Sequence, residues 1–129
     1  MIRSRSKSDA AASRAFAVEL ARACADDKCQ DVVVLDVSAI SQICDYLVIG
    51  SGTSDRQMKS VAQNLEDLGK EQGTPPFRSN RDEGTTWIVV DFVETVVHLF
   101  EPAQREYYDL EGLWRDGAVV DWRRESHAA

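Results

Sequence analysis

Apolar residues that recur every three or four positions predict two amphipathic helices in the first half of the chain. The first helix is expected over residues 8–25, and its apolar stripe consists of Phe16, Leu20 and Cys24. A second helix follows Gly52, because Ser54 is a favourable N-cap and Gln57, three residues later, completes a capping box. Its apolar stripe consists of Met58, Val61, Ala62, Leu65 and Leu68.

Runs of β-branched and aromatic residues predict strands. Residues 31–37 and 46–50 form a first pair. The connector between them is too short for a helical crossover, so we expect antiparallel neighbours. Residues 86–92 and 95–100 form a second pair with a tight connection, and a short edge strand is expected at 77–79.

A two-residue turn at Val93 and Glu94 would set the register of the second pair, with Val90 opposite Val97. One face of this hairpin is then almost wholly apolar and belongs in the core. It carries Ile88, Val90, Phe92, Thr95, Val97 and Leu99. The other face carries Trp87, Val89, Asp91, Val96, His98 and Phe100. Aromatic residues mixed with a charge and a histidine are typical of a surface that meets a partner, and coverage by a helix of the same domain is an equal alternative.

Pro102 predicts the start of a final helix, since its missing N–H costs nothing in a first turn. The expected core-facing side of that helix carries Ala103, Tyr107, Leu110 and Trp114. Arg105, Tyr108 and Glu111 recur every three residues beside it, so they could bond to each other or serve a partner. No partner within the chain is evident for the residues after Gly117.

Together these elements predict an α/β fold, a single small domain in which helices flank a mixed β-sheet. The expected organisation is a disordered basic tail at 1–7, the folded domain at 8–116 and a C-terminal tail at 117–129. No apolar run approaches the length of a membrane span.

The charge distribution narrows the choice of partners. Of 15 basic and 22 acidic residues, five basic residues and one acidic residue lie within the first seven and last seven positions. Residues 8–122 therefore carry 10 basic and 21 acidic residues, a net charge of −11. Such a body is repelled by phosphate backbones, so we expect little direct nucleic-acid binding and attraction to a basic partner.

Cysteine and histidine give little sign of catalysis. The cysteines Cys24, Cys29 and Cys44 are odd in number and include no C-x-x-C pair, which fits a reducing compartment and neither a disulfide framework nor a zinc site. Cys24 and Cys44 lie among apolar residues, so structural thiols are expected there. His98 lies in a hydrophobic strand, where a hydrogen-bonded histidine is far more common than a general base.

The turn from Gly50 to Ser54 links a strand to a helix, as many phosphate sites do. A dinucleotide fingerprint would need a third glycine where this chain has Asp55, whose carboxylate would repel a phosphate at the helix start. Asp91 and Glu94 do not alternate on one strand face, so they are poorly placed to share the divalent metal of a nucleotidyltransferase. The sequence therefore favours a tight turn, with no metal, no cofactor and no enzymatic activity.

Three spaced motifs resemble those of the ribosomal silencing factors, also called the Iojap family. They are "DYLVIGSGTSDRQ" (45–57), "WIVVDFVETVVHLF" (87–100) and "REYYDLEGLW" (105–114), and the resemblance covers about residues 10–115. The hairpin turn departs from the family, in which it often contains glycine. The residues that match the family pattern are Asp45, Ser51, Gly52, Ser54, Arg56, Trp87, Asp91, His98, Arg105, Tyr108, Leu110, Glu111 and Trp114.

The resemblance implies a fold related to nucleotidyltransferases but without their catalytic metal carboxylates, and a homodimer in the free state. It implies binding to a basic protein on the subunit-joining face of the large ribosomal subunit, near ribosomal protein fourteen. Family members block docking of the small subunit there when nutrients are short, and organelle members act in large-subunit assembly. We therefore expect a cytoplasmic, non-enzymatic inhibitor of subunit joining.

The surface expected to contact the ribosomal protein consists of Trp87, Asp91, His98, Tyr108 and Glu111. Two alternative functions stay open. One is a large-subunit assembly factor, and the other is a nucleotidyltransferase-like nucleotide-binding enzyme that uses the Gly50–Ser54 turn.

Overall fold

The computed structural model describes residues 7–80 and 86–124. This part of the chain forms an α/β domain with one mixed sheet, as predicted. The helices are α1 (Lys7–Asp26), α2 (Asp55–Glu71), α3 (Pro102–Tyr108) and α4 (Leu110–Leu113). The strands are β1 (Gln30–Asp36), β2 (Tyr46–Ser51), β3 (Arg78–Asn80), β4 (Trp87–Asp91), β5 (Thr95–Phe100) and β6 (Ala118–Val120). None of the helices described is long and apolar enough to cross a membrane.

The six strands lie in the order β3-β4-β5-β2-β1-β6. β2 and β5 are parallel, and every other neighbouring pair is antiparallel. The predicted antiparallel pairing of β1 with β2 is confirmed. So is the register of the β4–β5 hairpin, in which Val90 lies opposite Val97 and Val89 opposite His98. The pattern of the strands was therefore sufficient to place these two pairs.

One face of the sheet packs against α1 and α2 and forms the larger core. The hairpin residues predicted to face this core are all at most 3% exposed. Phe92 at the end of the hairpin meets Phe16 of α1 edge to face, with ring centroids 5.1 Å apart. The α2 stripe is buried at Met58, Val61, Ala62 and Leu65, and Leu68 is partly buried. Both helices are held by the apolar stripes that predicted them.

The start of α2 follows its capping pattern. Ser54 Oγ accepts a hydrogen bond from the Gln57 backbone N–H at 3.0 Å, and the Gln57 side-chain oxygen accepts one from the Thr53 N–H at 3.1 Å. The chain can turn this closely because residue 52 is glycine. A Cβ at Gly52 would collide with the side chain of Met58, which is fully buried beneath the turn.

The hairpin turn is strained at its centre. Val93 has a φ of 76°, which a β-branched residue rarely adopts. The Glu94 N–H donates to the Phe92 carbonyl at 3.0 Å, so the chain makes a γ-turn around Val93. Asp91 Oδ1 accepts a hydrogen bond from the Val93 N–H at 2.7 Å and holds this conformation.

The single final helix that the sequence predicted is two short helices in the structure. Asp109 lies between α3 and α4 in the left-handed conformation, with a φ of 45°. Aspartate tolerates this conformation, and its carboxylate accepts the Gly112 N–H at 3.2 Å, which caps α4. The break changes which residues face the sheet. Tyr107, expected in the core stripe, is 78% exposed, and Ala103 is exposed too.

The segment expected to be a C-terminal tail from residue 117 contributes to the domain instead. Ala118–Val120 forms β6, an edge strand antiparallel to β1. Just beyond it, the Trp122 indole N–H donates to the Val32 carbonyl at 2.8 Å, and the Trp122 carbonyl accepts from Arg22 Nε of α1 at 2.7 Å. A three-residue edge strand is too short to leave a clear pattern in sequence. Apart from Lys7, where α1 begins, the N-terminal tail predicted at 1–7 lies outside the described residues.

Candidate functional site: an aromatic groove on the second face of the sheet

The second face of the sheet is covered only in part. A smaller core lies there, and α3 and α4 cross it without burying any residue of their own. An open cavity of about 580 Å³ remains beside them, which we name the aromatic groove. Its lining includes apolar side chains of Ile43, Cys44, Leu47, Trp87, Val89, Val96, Leu110 and Trp114, and polar side chains of Arg78, Asn80, Asp91 and His98.

Three of the five predicted contact residues meet at Trp87. Its ring stacks on Phe100 and packs against Tyr108, with centroid distances of 4.9 and 4.8 Å. Its indole N–H donates to His98 Nδ1 at 3.1 Å. Tyr108 remains 50% exposed, so one edge of the cluster faces solvent. The structure therefore brings Trp87, His98 and Tyr108 together in a single aromatic cluster.

His98 is held neutral by this environment. Burial lowers the pKa of His98 from 6.5 to about 4, and the nearby Asp91 carboxylate opposes that shift only in part. A neutral ring is also what the hydrogen bond requires, because Nδ1 must accept from Trp87 and the proton then lies on Nε2. His98 is thus a hydrogen-bonded strand histidine, as the sequence predicted.

Asp91 lines the groove, but its carboxylate is already engaged. Oδ1 accepts the Val93 N–H, and Oδ2 lies 3.4 Å from Nε of the exposed Arg78. The Asp91 side chain is 18% exposed. It therefore has a structural role at the hairpin turn besides the contact role predicted for it.

Glu111 lies apart from the aromatic cluster in an ion pair with Arg105. The two hydrogen bonds of this pair are 2.7 and 3.1 Å long. Arg105, whose side chain is only 11% exposed, also donates to Ser51 Oγ at 2.9 Å. The pair ties α3 and α4 to the end of β2. Bonding between Arg105 and Glu111 is one of the two alternatives that their helical spacing predicted. Tyr108, the third residue of that spacing, packs against Trp87 instead.

Two exposed apolar residues near the helices and groove were not predicted as contacts. Ile43, in the loop before β2, lines the groove and is 78% exposed, and Leu113 of α4 is 73% exposed. Large apolar side chains this exposed are commonly covered by a partner when they cluster. No distinct signal in the sequence marked Ile43, because its connector also contains the apolar residues Ile40 and Cys44.

Comparison with known proteins identifies the family. A family model described as "Ribosomal silencing factor during starvation" matches residues 10–129. The chain belongs to the ribosomal silencing factor family. It is 36% identical over 101 residues to the ribosomal silencing factor RsfS of Bacillus subtilis, covering 78% of this chain and 86% of that protein. The resemblance of the three sequence motifs is therefore confirmed.

Two further comparisons concern a mouse relative and a crystal structure. A mouse protein named "Mitochondrial assembly of ribosomal large subunit protein 1" is 34% identical over 91 residues, covering 68% of this chain and 40% of that protein. A crystal structure of a protein from Chromobacterium violaceum superposes with a TM-score of 0.72 at 31% identity, covering 91% of this chain and 94% of that chain. The fold is thus shared with a protein whose structure was determined by crystallography.

At the glycine turn, the backbone N–H groups already donate hydrogen bonds within the chain. The Gly52 N–H donates to the Phe100 carbonyl at 2.8 Å, and the Thr53 and Gln57 N–H groups bind within the capping box. The small cavity beside the helix start is lined by Asp27 and Arg56, a carboxylate and a guanidinium of opposite charge. A phosphate there would meet a carboxylate and find these three N–H groups engaged, which favours the tight-turn interpretation.

The carboxylates that a nucleotidyltransferase would need do not converge in the described residues. Among residues 7–80 and 86–124, no three His, Cys, Asp or Glu side chains lie close enough to hold a metal ion. Asp91 faces the groove and binds the turn, as described above.

Proposed function

We propose that this ribosomal silencing factor represses translation by steric exclusion in the cytoplasm. In this proposal, the aromatic groove and its acidic surroundings bind a basic protein, ribosomal protein fourteen, on the intersubunit face of the large ribosomal subunit. The bound protein then occupies space that the small subunit needs, and nutrient limitation is the condition under which it acts. The observation that carries the proposal is an uncovered aromatic and apolar groove on a protein of net charge −7.

The composition of the groove supports a protein partner. Trp and Tyr anchors surrounded by other apolar groups are enriched in protein interfaces and supply much of their binding energy. Trp87 and Tyr108 form such an anchor, and Ile43 extends the apolar surface at 78% exposure.

The charge of the protein supports a basic partner. A net charge of −7 repels the phosphates of ribosomal RNA and attracts a lysine- and arginine-rich protein. Asp91 lies in the groove and Glu111 on α4, where a basic partner would compete with the arginines paired to these carboxylates. We propose these two residues, with Trp87, His98 and Tyr108, as the surface that contacts the ribosomal protein, and we propose a homodimer for the free protein.

A role in large-subunit assembly is the second candidate, and the name of the mouse relative favours it. Both functions would use binding to the large subunit. They differ in whether the added protein prevents mature subunits from joining.

Sedimentation with purified ribosomal subunits distinguishes silencing from assembly. The protein is mixed with large subunits at physiological salt, and small subunits are then added. Co-sedimentation with large subunits and loss of joined ribosomes is the expected result. Binding without any loss of joined ribosomes would favour assembly over silencing. Absence of binding by a monodisperse protein would overturn the proposal.

Two matched charge reversals test which surface binds. Glu111→Lys on α4 is expected to weaken large-subunit binding by about tenfold, on the order of 1.4 kcal/mol. Glu71→Lys makes the same change at an exposed residue of α2, on the opposite side of the sheet, and should bind as the natural protein does. Circular dichroism must show that both variants are folded, because Glu111 also holds Arg105. Equal binding by both variants would remove Glu111 from the contact surface.

A nucleotide-binding function predicts a different result. Millimolar nucleotide with Mg²⁺ should raise the melting temperature if it binds the folded state at the Gly50–Ser54 turn. We expect no shift, because three of the N–H groups at this turn are engaged internally.

A further inference from the structure

The end of α1 places two cysteine side chains against each other. Lys28 is left-handed, with a φ of 78°, and its N–H donates to the Ala25 carbonyl at 3.1 Å. The Cys29 N–H donates to the Cys24 carbonyl at 2.9 Å. These two hydrogen bonds form a Schellman motif, in which the residues at both ends of the longer bond make a side-chain contact. In this chain those residues are Cys24 and Cys29.

The two thiols differ in their exposure. Cys24 is fully buried, whereas Cys29 is 7% exposed and lines an open cavity of about 450 Å³. Trp122 and Arg123 also line that cavity. A small molecule in the cavity therefore lies beside Cys29, whereas Cys24 has no exposed surface.

The surroundings also give the two thiols different acidities. The hydrogen bond from Cys24 lowers the pKa of Cys29 below its ordinary value, and a hydrogen bond from the Gln57 side chain at 3.7 Å adds to this against the effect of burial. The same bond to Cys29, together with burial, raises the pKa of Cys24 well above its ordinary value. Cys29 is thus the thiol that ionises first, with Cys24 as its hydrogen-bond donor.

We infer that Cys24 and Cys29 form a reversible redox site, at which a small peroxide entering the cavity converts the dithiol to a disulfide. The Cys29 thiolate attacks one peroxide oxygen, the O–O bond breaks, and the leaving oxygen takes a proton to become water. Cys29 is then a sulfenic acid. The Cys24 sulfur attacks the Cys29 sulfur, the S–O bond breaks, and a second water leaves with the thiol proton. Two thiols are oxidised, and one hydrogen peroxide is reduced to two waters.

The site lies away from the aromatic groove. Cys24 and Cys29 belong to the core between the helices and the first face of the sheet, whereas Cys44 lies in the smaller core on the second face. Disulfides in reducing compartments are typically transient and redox-sensing, which is consistent with three free thiols in the resting protein. Cys44 therefore serves as an internal control.

The test is mild oxidation of the folded protein with hydrogen peroxide, followed by blocking of free thiols and mass spectrometry. Trypsin cuts after Arg22, Lys28 and Arg56, so Cys24 lies in peptide 23–28, and Cys29 shares peptide 29–56 with Cys44. The experiment is therefore run on both the natural protein and Cys44→Ala. We expect peptides 23–28 and 29–56 to be joined by a disulfide in both proteins, with the loss of two hydrogens, and to separate again after reduction with dithiothreitol.

Two variants test the order of the steps. Cys24→Ala should stop at a sulfenic acid on Cys29 that dimedone traps, because the second thiol is missing. Cys29→Ala should leave Cys24 reduced at the same peroxide concentration, since Cys24 is fully buried. The inference is overturned if the joined peptides are absent from Cys44→Ala, or if Cys44 in the natural protein oxidises as fast as Cys29. The peptide map of Cys44→Ala decides the matter even if the other variants do not fold.

Discussion

The neutral state of His98 predicts that this protein loses stability as the pH falls below neutrality. The unfolded chain takes up a proton on this ring near pH 6.5, but the folded protein resists it until about pH 4. Above pH 6.5 the ring is neutral in both states and contributes nothing to the pH dependence. Between the two values the unfolded state binds more protons, so the free energy of unfolding falls as the pH falls.

The size of the effect follows from the two pKa values. The gap between 6.5 and about 4 corresponds to about 3 kcal/mol once the pH lies below both. Carboxylates begin to titrate in the lower part of this range, so a measurement limited to higher pH isolates the histidine better. Between about pH 7.5 and pH 5, His98 alone should lower the free energy of unfolding by about 2 kcal/mol.

The assay is urea denaturation of the natural protein and of His98→Asn at both pH values. Asparagine carries an acceptor close to the position of Nδ1, so it can retain the hydrogen bond from Trp87 without titrating. Every other titrating group is common to the two proteins. The difference between their pH-induced losses of stability therefore reports His98, and we expect about 2 kcal/mol.

Two results would refute this reasoning. If His98→Asn loses as much stability as the natural protein between the two pH values, the folded pKa of His98 is not depressed. An NMR titration of the ring protons checks the same point directly, and a folded-state midpoint near 6.5 would mean that solvent reaches the ring despite Trp87.

Three further substitutions test the backbone and the ion pair by urea denaturation. Val93→Gly should raise the free energy of unfolding by about 1 kcal/mol, because a φ of 76° strains valine but not glycine, and a less stable variant would contradict the strained turn. Gly52→Ala should lower it by about 1–3 kcal/mol, since the new Cβ collides with Met58, and an unchanged midpoint would show that Met58 yields freely. Arg105→Lys should lower it by about 1–2 kcal/mol, because lysine cannot make the paired hydrogen bonds to Glu111, and equal stability would mean that the pair adds nothing.

Most of the sheet could be predicted, because the alternation of apolar and polar residues along each strand determines the strand register. The hairpin needed only the alternation of apolar residues on either side of Val93 and Glu94, which places Val90 opposite Val97. The start of α2 needed only the spacing of Ser54 and Gln57. Each of these features is determined by residues close in sequence, so it can be predicted from a single sequence.

What escaped prediction depends on contacts between distant parts of the chain. β6 exists because the chain after Gly117 returns to β1, and Trp122 is held by a carbonyl 90 residues away. No pattern within residues 117–122 contains that information. The break at Asp109 is a different case, since its hydrogen bonds to Gly112 and Arg105 are local. An aspartate inside a helical spacing gives no sign that it will adopt a left-handed conformation.

The residues of the proposed contact surface also fall into two groups, one on the hairpin and one on the short helices. Trp87 and His98 project from the hairpin, where they are fixed by the sheet register and by packing on Phe100. Tyr108 and Glu111 lie on α3 and α4, which bury no residue of their own. Arg105 holds Glu111, and the Tyr108 ring packs against Trp87. Substitution of the hairpin residues should therefore reduce stability together with binding. Substitution of Tyr108 should act mainly on binding, because its side chain is half exposed. Substitution of Glu111 should lower stability as well, because it removes the ion pair with Arg105.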